Sequence, residues 1–351
     1  MTRKKVNFNK LINRLILFIG LGVLAHIVFV LSTTEKAMLA NLSKLEPQHI
    51  AAIFVLMLLP WMGYAFRITM WSKLLGENIG FREALRVVIT TDVASALSPT
   101  AVGGGPVKLA LLIKRGFKAG NAGFILTYGI IEDIVFYTSG ILLALIFSKG
   151  LVQDTISGLW AWISSHITWI AGTAVLVILV WIILKVIGVT LSDRMMGVIP
   201  EHFRERIYQI RANASHSISD IKANFRLAFS YGKWQIVASI LILFLQWGAK
   251  FSILVVLVSA FGIDFEAIQI YVRQWVVYVT MLFIPTPGAS GGAEASFLLI
   301  FGKSIPHKIS FLVVSLWRLF TYYFILVSAV VIYSVISFVQ GRKEEVEIEE
   351  G

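Results

Sequence analysis

Ser98-Pro-Thr-Ala-Val-Gly-Gly-Gly-Pro-Val-Lys108 and Ile284-Pro-Thr-Pro-Gly-Ala-Ser-Gly-Gly-Ala-Glu294 decide the architecture. Each cluster interrupts an apolar stretch, Ala84–Arg115 and Ile268–Gly302 respectively. Proline lacks the N–H that a continuing helix needs, and consecutive glycines permit a tight reversal. Each stretch therefore reads as two half-helices joined at a bend.

The surroundings are apolar. Of 351 residues 57% are hydrophobic and only 15% charged, against about 25% charged in a soluble domain. The chain lacks the polar surface of a water-soluble enzyme and reads as an all-α integral membrane protein. Runs long enough to span a bilayer lie at Leu15–Ser32, Ile50–Met70, Ala122–Ser148, Ile167–Lys185, Trp234–Gly262 and Ile309–Val339. With no cysteine, scattered histidines, no nucleotide loop and no Ser/His/Asp arrangement, the sequence points to no enzyme, no metal and no cofactor.

Orientation follows from the basic residues. With the N-terminus cytoplasmic and each broken stretch entering and leaving on one side, 23 of the 31 Lys and Arg face the cytoplasm and 5 face outside, as the positive-inside rule requires. The expectation is a multi-pass protein of the cytoplasmic membrane with both termini cytoplasmic, about six full transmembrane helices and two re-entrant hairpins. The positive charge borders membrane loops and does not suggest nucleic acid.

Moving the chain by 186 positions lays Pro99-Thr100 on Pro285-Thr286, Gly105 on Gly291, Trp61 on Trp247, Gly76 on Gly262 and Tyr137 on Tyr323. An odd number of crossings separates the halves, so the repeat is expected to have inverted topology, a recurring plan for transporters. One polytopic domain (1–340) then contains repeat 1 (about 50–148), an amphipathic basic linker (191–233) suited to the anionic inner leaflet, and repeat 2 (about 234–339). A disordered acidic tail (341–351) follows.

Irregular backbone at membrane depth survives where protein or a wet cavity satisfies it. The half-helices leaving the two bends direct free N–H groups and a positive dipole end inward, which favours an anion. The expected contacts are Thr100, Gly103, Gly104, Gly105 and Lys108 in the first bend. In the second they are Thr286, Gly288, Ser290, Gly291, Gly292 and Glu294. The competing reading is a glycine-lined packing contact without a ligand. Glu132, Asp133 and Arg318 lie inside apolar runs, and the same shift carries Glu132 onto Arg318 and Lys108 onto Glu294. Pairing of Glu132 with Arg318 across the repeat axis would lower the cost of burying both, either structurally or in proton coupling and head-group recognition. Asp92, Arg67, Lys250 and Arg273 are weaker candidates.

The second bend closely resembles the Pro-x-Pro-Gly…Gly-x-x-Glu signature of the membrane domain of lysylphosphatidylglycerol synthase/flippase proteins and their stand-alone flippase-like relatives. Pro99–Lys108, Lys114-Arg-Gly116 and Glu132-Asp133 resemble that family's first block. The likeness runs from about Val55 to Tyr333. One departure is Gly105-Pro106, where many members carry Gly-Glu. The resemblance implies a lipid translocator moving a phospholipid or lipid-linked anionic head group between leaflets. It nominates the two bends with Glu294, Glu132 and Arg318, and membrane lipids as partners. A carrier of a small soluble anion, or a non-transporting scaffold for an envelope-lipid enzyme, are the alternatives. A second copy of the chain or such an enzyme is the protein partner expected.

Overall fold

The computed structural model describes residues 40–98, 103–147, 201–282, 284, 286, 288–302 and 304–328. The spans expected at Leu15–Ser32 and Ile167–Lys185, the acidic tail and Thr100 lie outside these residues. Among the described residues the α-helices are α1 (Pro47–Leu74), α2 (Phe81–Leu97), α3 (Gly104–Lys114), α4 (Ala119–Phe147), α5 (Glu201–Tyr231), α6 (Lys233–Ala260), α7 (Ala267–Met281), α8 (Gly292–Phe301) and α9 (His307–Arg318). A π-turn, Leu319–Tyr323, continues α9. Among the described residues four helical stretches are long and apolar enough to cross a membrane: Pro47–Leu74, Ala119–Phe147, Lys233–Ala260 and Ile309–Ser328. The protein is an α-helical membrane protein.

Each broken stretch forms two short helices, α2–α3 and α7–α8, as the proline and glycine clusters dictate. The helix boundaries also recur along the chain. α1 and α6 are each 28 residues long and start 186 positions apart. Their C-terminal turns match as well. Gly76 and Gly262 both adopt φ near +70° (+71° and +67°), a conformation glycine takes without steric cost. In each turn the glycine N–H bonds the carbonyl of Lys73 or Ser259, and the next N–H bonds that of Ser72 or Val258. This double closure satisfies carbonyls that a helix end leaves open.

α1 and α6 pack along one another at the centre of the molecule. Two apolar clusters flank the seam. One gathers Trp61, Ala65, Ile68, Trp71, Phe124 and Tyr128 around α1–α4. The other gathers Phe136, Phe251, Trp275, Tyr278, Phe297 and Trp317 around α6–α9. Phe136 lies flat on Trp247 with ring centroids 4.4 Å apart, so α4 belongs to both. Outer faces are apolar too, with Phe54, Leu58, Met62 and Phe66 on α1 and Ile130, Ile134, Ile141 and Leu145 on α4 exposed. An apolar periphery of this extent suits hydrocarbon rather than water.

The α5 helix docks on the start of α4. Ala228 is buried, Phe225 meets Phe124 edge-on at 4.9 Å, and Asn224 donates to Asn121 at 2.8 Å. The apolar Ile218 and Phe229 of the same helix are exposed. The docked stripe is therefore narrower than the apolar pattern.

Candidate functional site

Three polar side chains meet Arg67 on the buried side of α1. Its Nε donates to Ser239 Oγ at 3.1 Å, and its Nη1 donates to Gln246 Oε1 at 3.0 Å. Nη2 forms an ion pair with Glu132. Ser239 in turn donates to Glu132 and accepts from Trp71 Nε1 at 3.3 Å, using the hydroxyl's one donor and two acceptor positions. Arg67 and Glu132 are 5% and 1% exposed. A charge so deep is tolerable only when paired and hydrogen-bonded, and both conditions hold here.

Arg67, Trp71 and Glu132 of this network border a partly open cavity of about 480 Å³ lined mainly by α1–α4, with Tyr64, Asp92, Gly104, Gly105, Lys108, Asp133 and Tyr137 also on its surface. Lys108 Nζ stands 6.0 Å from the Tyr64 ring centre. Asp92 accepts from Trp61 Nε1 at 2.8 Å. Among the described residues Lys108, Asp92 and Asp133 form no ion pair within 4 Å.

The first bend's glycines divide their work. Gly103 gives its N–H to Ser98 Oγ at 2.8 Å, so this N–H is not free for an anion. At Gly104 a side chain would collide with Ser95 on α2, so the two half-helices touch backbone to side chain. At Gly105 a side chain would meet Leu126 at ordinary contact distance. Gly104 and Gly105, with Lys108 one turn on, are the bend residues on the cavity wall.

In the second bend several polar groups pair with one another, while Glu294 Oε2 is buried with no hydrogen-bond partner among the described residues. Arg318 Nε donates to Glu294 Oε1 at 2.8 Å and its Nη2 to the Gly288 carbonyl at 2.9 Å. Thr286 Oγ1 donates to the Ser290 carbonyl at 3.0 Å. Glu294, in the first turn of α8, gives that helix start its own negative charge. Gly288 has φ +57°, and a side chain there would strike the Tyr322 ring. That ring lies under the Arg318 guanidinium at 4.4 Å. Its hydroxyl donates to the Ala96 carbonyl at 3.0 Å, so Tyr322 ties the second bend to the end of α2, beside the first.

The expected pairing of Glu132 with Arg318 is replaced by Arg67–Glu132 and Arg318–Glu294. Glu132 and Arg318 each find an opposite partner on a neighbouring helix, so neither is left to reach across the molecule. Neither of the two cavities described is lined by Gly288, Ser290, Gly291, Gly292 or Glu294.

A second cavity of about 110 Å³ lies between α1, α6 and the π-turn, with Tyr64, Asp92, Gln246, Trp247, Lys250 and Thr321 on its walls. Lys250 Nζ sits 4.9 Å from the Trp247 ring and 5.0 Å from that of Tyr278, a cation held between aromatic faces. Asp92 and Tyr64 border both cavities. Ser239, Gln246 and Tyr322 escape a sequence reading focused on formal charge. A polar pair seven residues apart on one face of an apolar helix, as Ser239 and Gln246 are, is the signal that marks two of them.

A family model described as the lysylphosphatidylglycerol synthase TM region matches residues 17–329. A UPF0104 membrane protein of Archaeoglobus fulgidus is 27% identical over 275 residues, covering 77% of this chain and 81% of the relative.

Proposed function

This chain belongs to the family of the lysylphosphatidylglycerol synthase transmembrane region, and on that premise we propose that it is a flippase-like lipid translocator of the cytoplasmic membrane. It moves a phospholipid or lipid-linked anionic head group between leaflets. The observation that carries the reading is the 480 Å³ cavity in which Lys108, without an ion-pair partner among the described residues, stands beside Gly104 and Gly105 at the start of α3. A phosphate oxygen there meets a lysine and the positive end of a helix.

In this proposal α2–α3 and α7–α8 are re-entrant hairpins entering from opposite faces, and the two halves are inverted repeats. Support comes from the matched boundaries of α1 and α6 and from the Tyr322–Ala96 bond between the two bends. Six full spans, with both termini cytoplasmic, complete the topology. The second bend, closed by its own Glu294–Arg318 pair, acts as the structural mate of an open first bend. The acyl chains stay in the bilayer while the head group crosses through the cavity.

The test is reconstitution of the purified chain into liposomes containing fluorescent phosphatidylglycerol or phosphatidylethanolamine, read by quenching of the outer leaflet. Protein-dependent movement of the labelled head group is expected. Rates equal to those of protein-free vesicles across anionic and zwitterionic lipids overturn the reading.

A further inference from the structure

Asp92 faces charge from several helices. α1 presents Arg67, already paired with Glu132 of α4, together with Tyr64, and Trp61 of the same helix holds one carboxylate oxygen. α3 presents Lys108, α4 presents Asp133 and Tyr137, and α6 presents Lys250. Lys108 and Lys250 both act on Asp92 through space. The π-turn contributes Thr321 and no formal charge.

Setting aside the internally neutral Arg67–Glu132 pair, two lysines, Lys108 and Lys250, face two aspartates, Asp92 and Asp133. None of the four has an ion-pair partner within 4 Å among the described residues. The walls of the two cavities, taken together, are therefore balanced in charge. A phosphodiester entering beside Lys108 brings one negative charge into a low-dielectric space, where uncompensated charge is costly. Uptake of one proton by a carboxylate restores the balance.

We propose that Asp92 is a proton-binding site linked to head-group occupancy, an inference that rests on the lipid-translocator reading. Trp61 Nε1 occupies Oδ2, so the new O–H bond forms at Oδ1. The proton comes from hydronium in the small cavity, leaving water behind, and returns to water when the head group departs. That cavity, at about 110 Å³, has room for a few waters at about 30 Å³ each. Asp133 borders the large cavity, whereas Asp92 borders both; this makes Asp92 the carboxylate that can exchange protons on one side and sense a phosphate on the other. Linkage is reciprocal: a phosphodiester raises the proton affinity of Asp92, and protonation raises the affinity for the phosphodiester by the same factor.

The experiment titrates the purified full chain in detergent with dihexanoyl phosphatidylglycerol, by calorimetry in two buffers of different ionisation heat. Near neutral pH the wild type takes up close to one proton per lipid bound. Asp92→Asn keeps an acceptor for Trp61 but takes up none, and Asp92→Glu restores the uptake. Binding without proton uptake in the wild type, or undiminished uptake in Asp92→Asn, overturns the proposal. Infrared titration of the lipid-free protein separates this inference from its premise. A carboxylic-acid C=O band that Asp92→Asn removes supports the proton site even where the lipid does not bind and the translocator reading falls. No difference between the two spectra overturns the proton site itself.

Discussion

Gln246 Nε2 donates a 2.7 Å hydrogen bond to the carbonyl of Pro60, the residue 186 positions before it in the chain. The same spacing separates the start of α1 from that of α6, so equivalent positions of the two central helices touch at their seam. Pro60 sits inside α1, and its carbonyl accepts this side-chain bond from the neighbouring helix. Gln246 supplies the donor, packs on Gly63, and turns its Oε1 to Arg67.

Gln246→Leu should therefore cost more than one hydrogen bond. It removes an acceptor from a buried guanidinium and a donor from the Pro60 carbonyl, each omission worth about 1–3 kcal/mol. A clear fall in melting temperature in detergent is the expected result, and an unchanged temperature would refute the assigned role.

Arg67 and Glu132 make a double-mutant test. Removing one partner of a buried pair leaves an unmatched charge, at about 3–5 kcal/mol. Arg67→Met and Glu132→Gln should each destabilise strongly, while the double variant should recover much of the loss. Additive losses would mean that the two side chains are not coupled.

Among the described residues Lys108 has no ion pair to lose. Lys108→Met should leave the melting temperature nearly unchanged yet reduce head-group movement in liposomes. A charge-assisted contact of about 1.5–3 kcal/mol corresponds to a loss of about tenfold or more. Equal rates for both proteins would remove Lys108 from the site.

The latch at Tyr322 predicts an order of severity. Tyr322→Phe deletes its hydroxyl's bond to the Ala96 carbonyl, at about 1 kcal/mol. Gly288→Ala places a methyl group in the Tyr322 ring at positive φ and should cost more. Tyr322→Ala in the Gly288→Ala background should relieve the clash but not the backbone strain. Thermal unfolding of the three variants checks the ranking.

Helices and bends could be read from the residues because their causes are local. Apolar runs of spanning length, prolines without an N–H and paired glycines act within a turn or two of themselves, and they located α1, α4, α6, α2–α3 and α7–α8. Lys108, Glu132 and Asp133 also announced themselves, since charge inside an apolar run is costly enough to need a reason.

Partnership was not legible in this way. A carboxylate's sequence neighbours do not say which helix packs against it. Register suggested Arg318 for Glu132, while packing gave it Arg67, 65 positions away along the chain. The sequence alone determined which segments are long and apolar enough for a membrane and where two apolar stretches break, through hydrophobicity and backbone freedom. Only tertiary structure decided which charges neutralise one another, and so which ones, Lys108 and Asp92 among them, stay available. That outcome depends on side-chain distances of a few ångströms between helices remote in the chain.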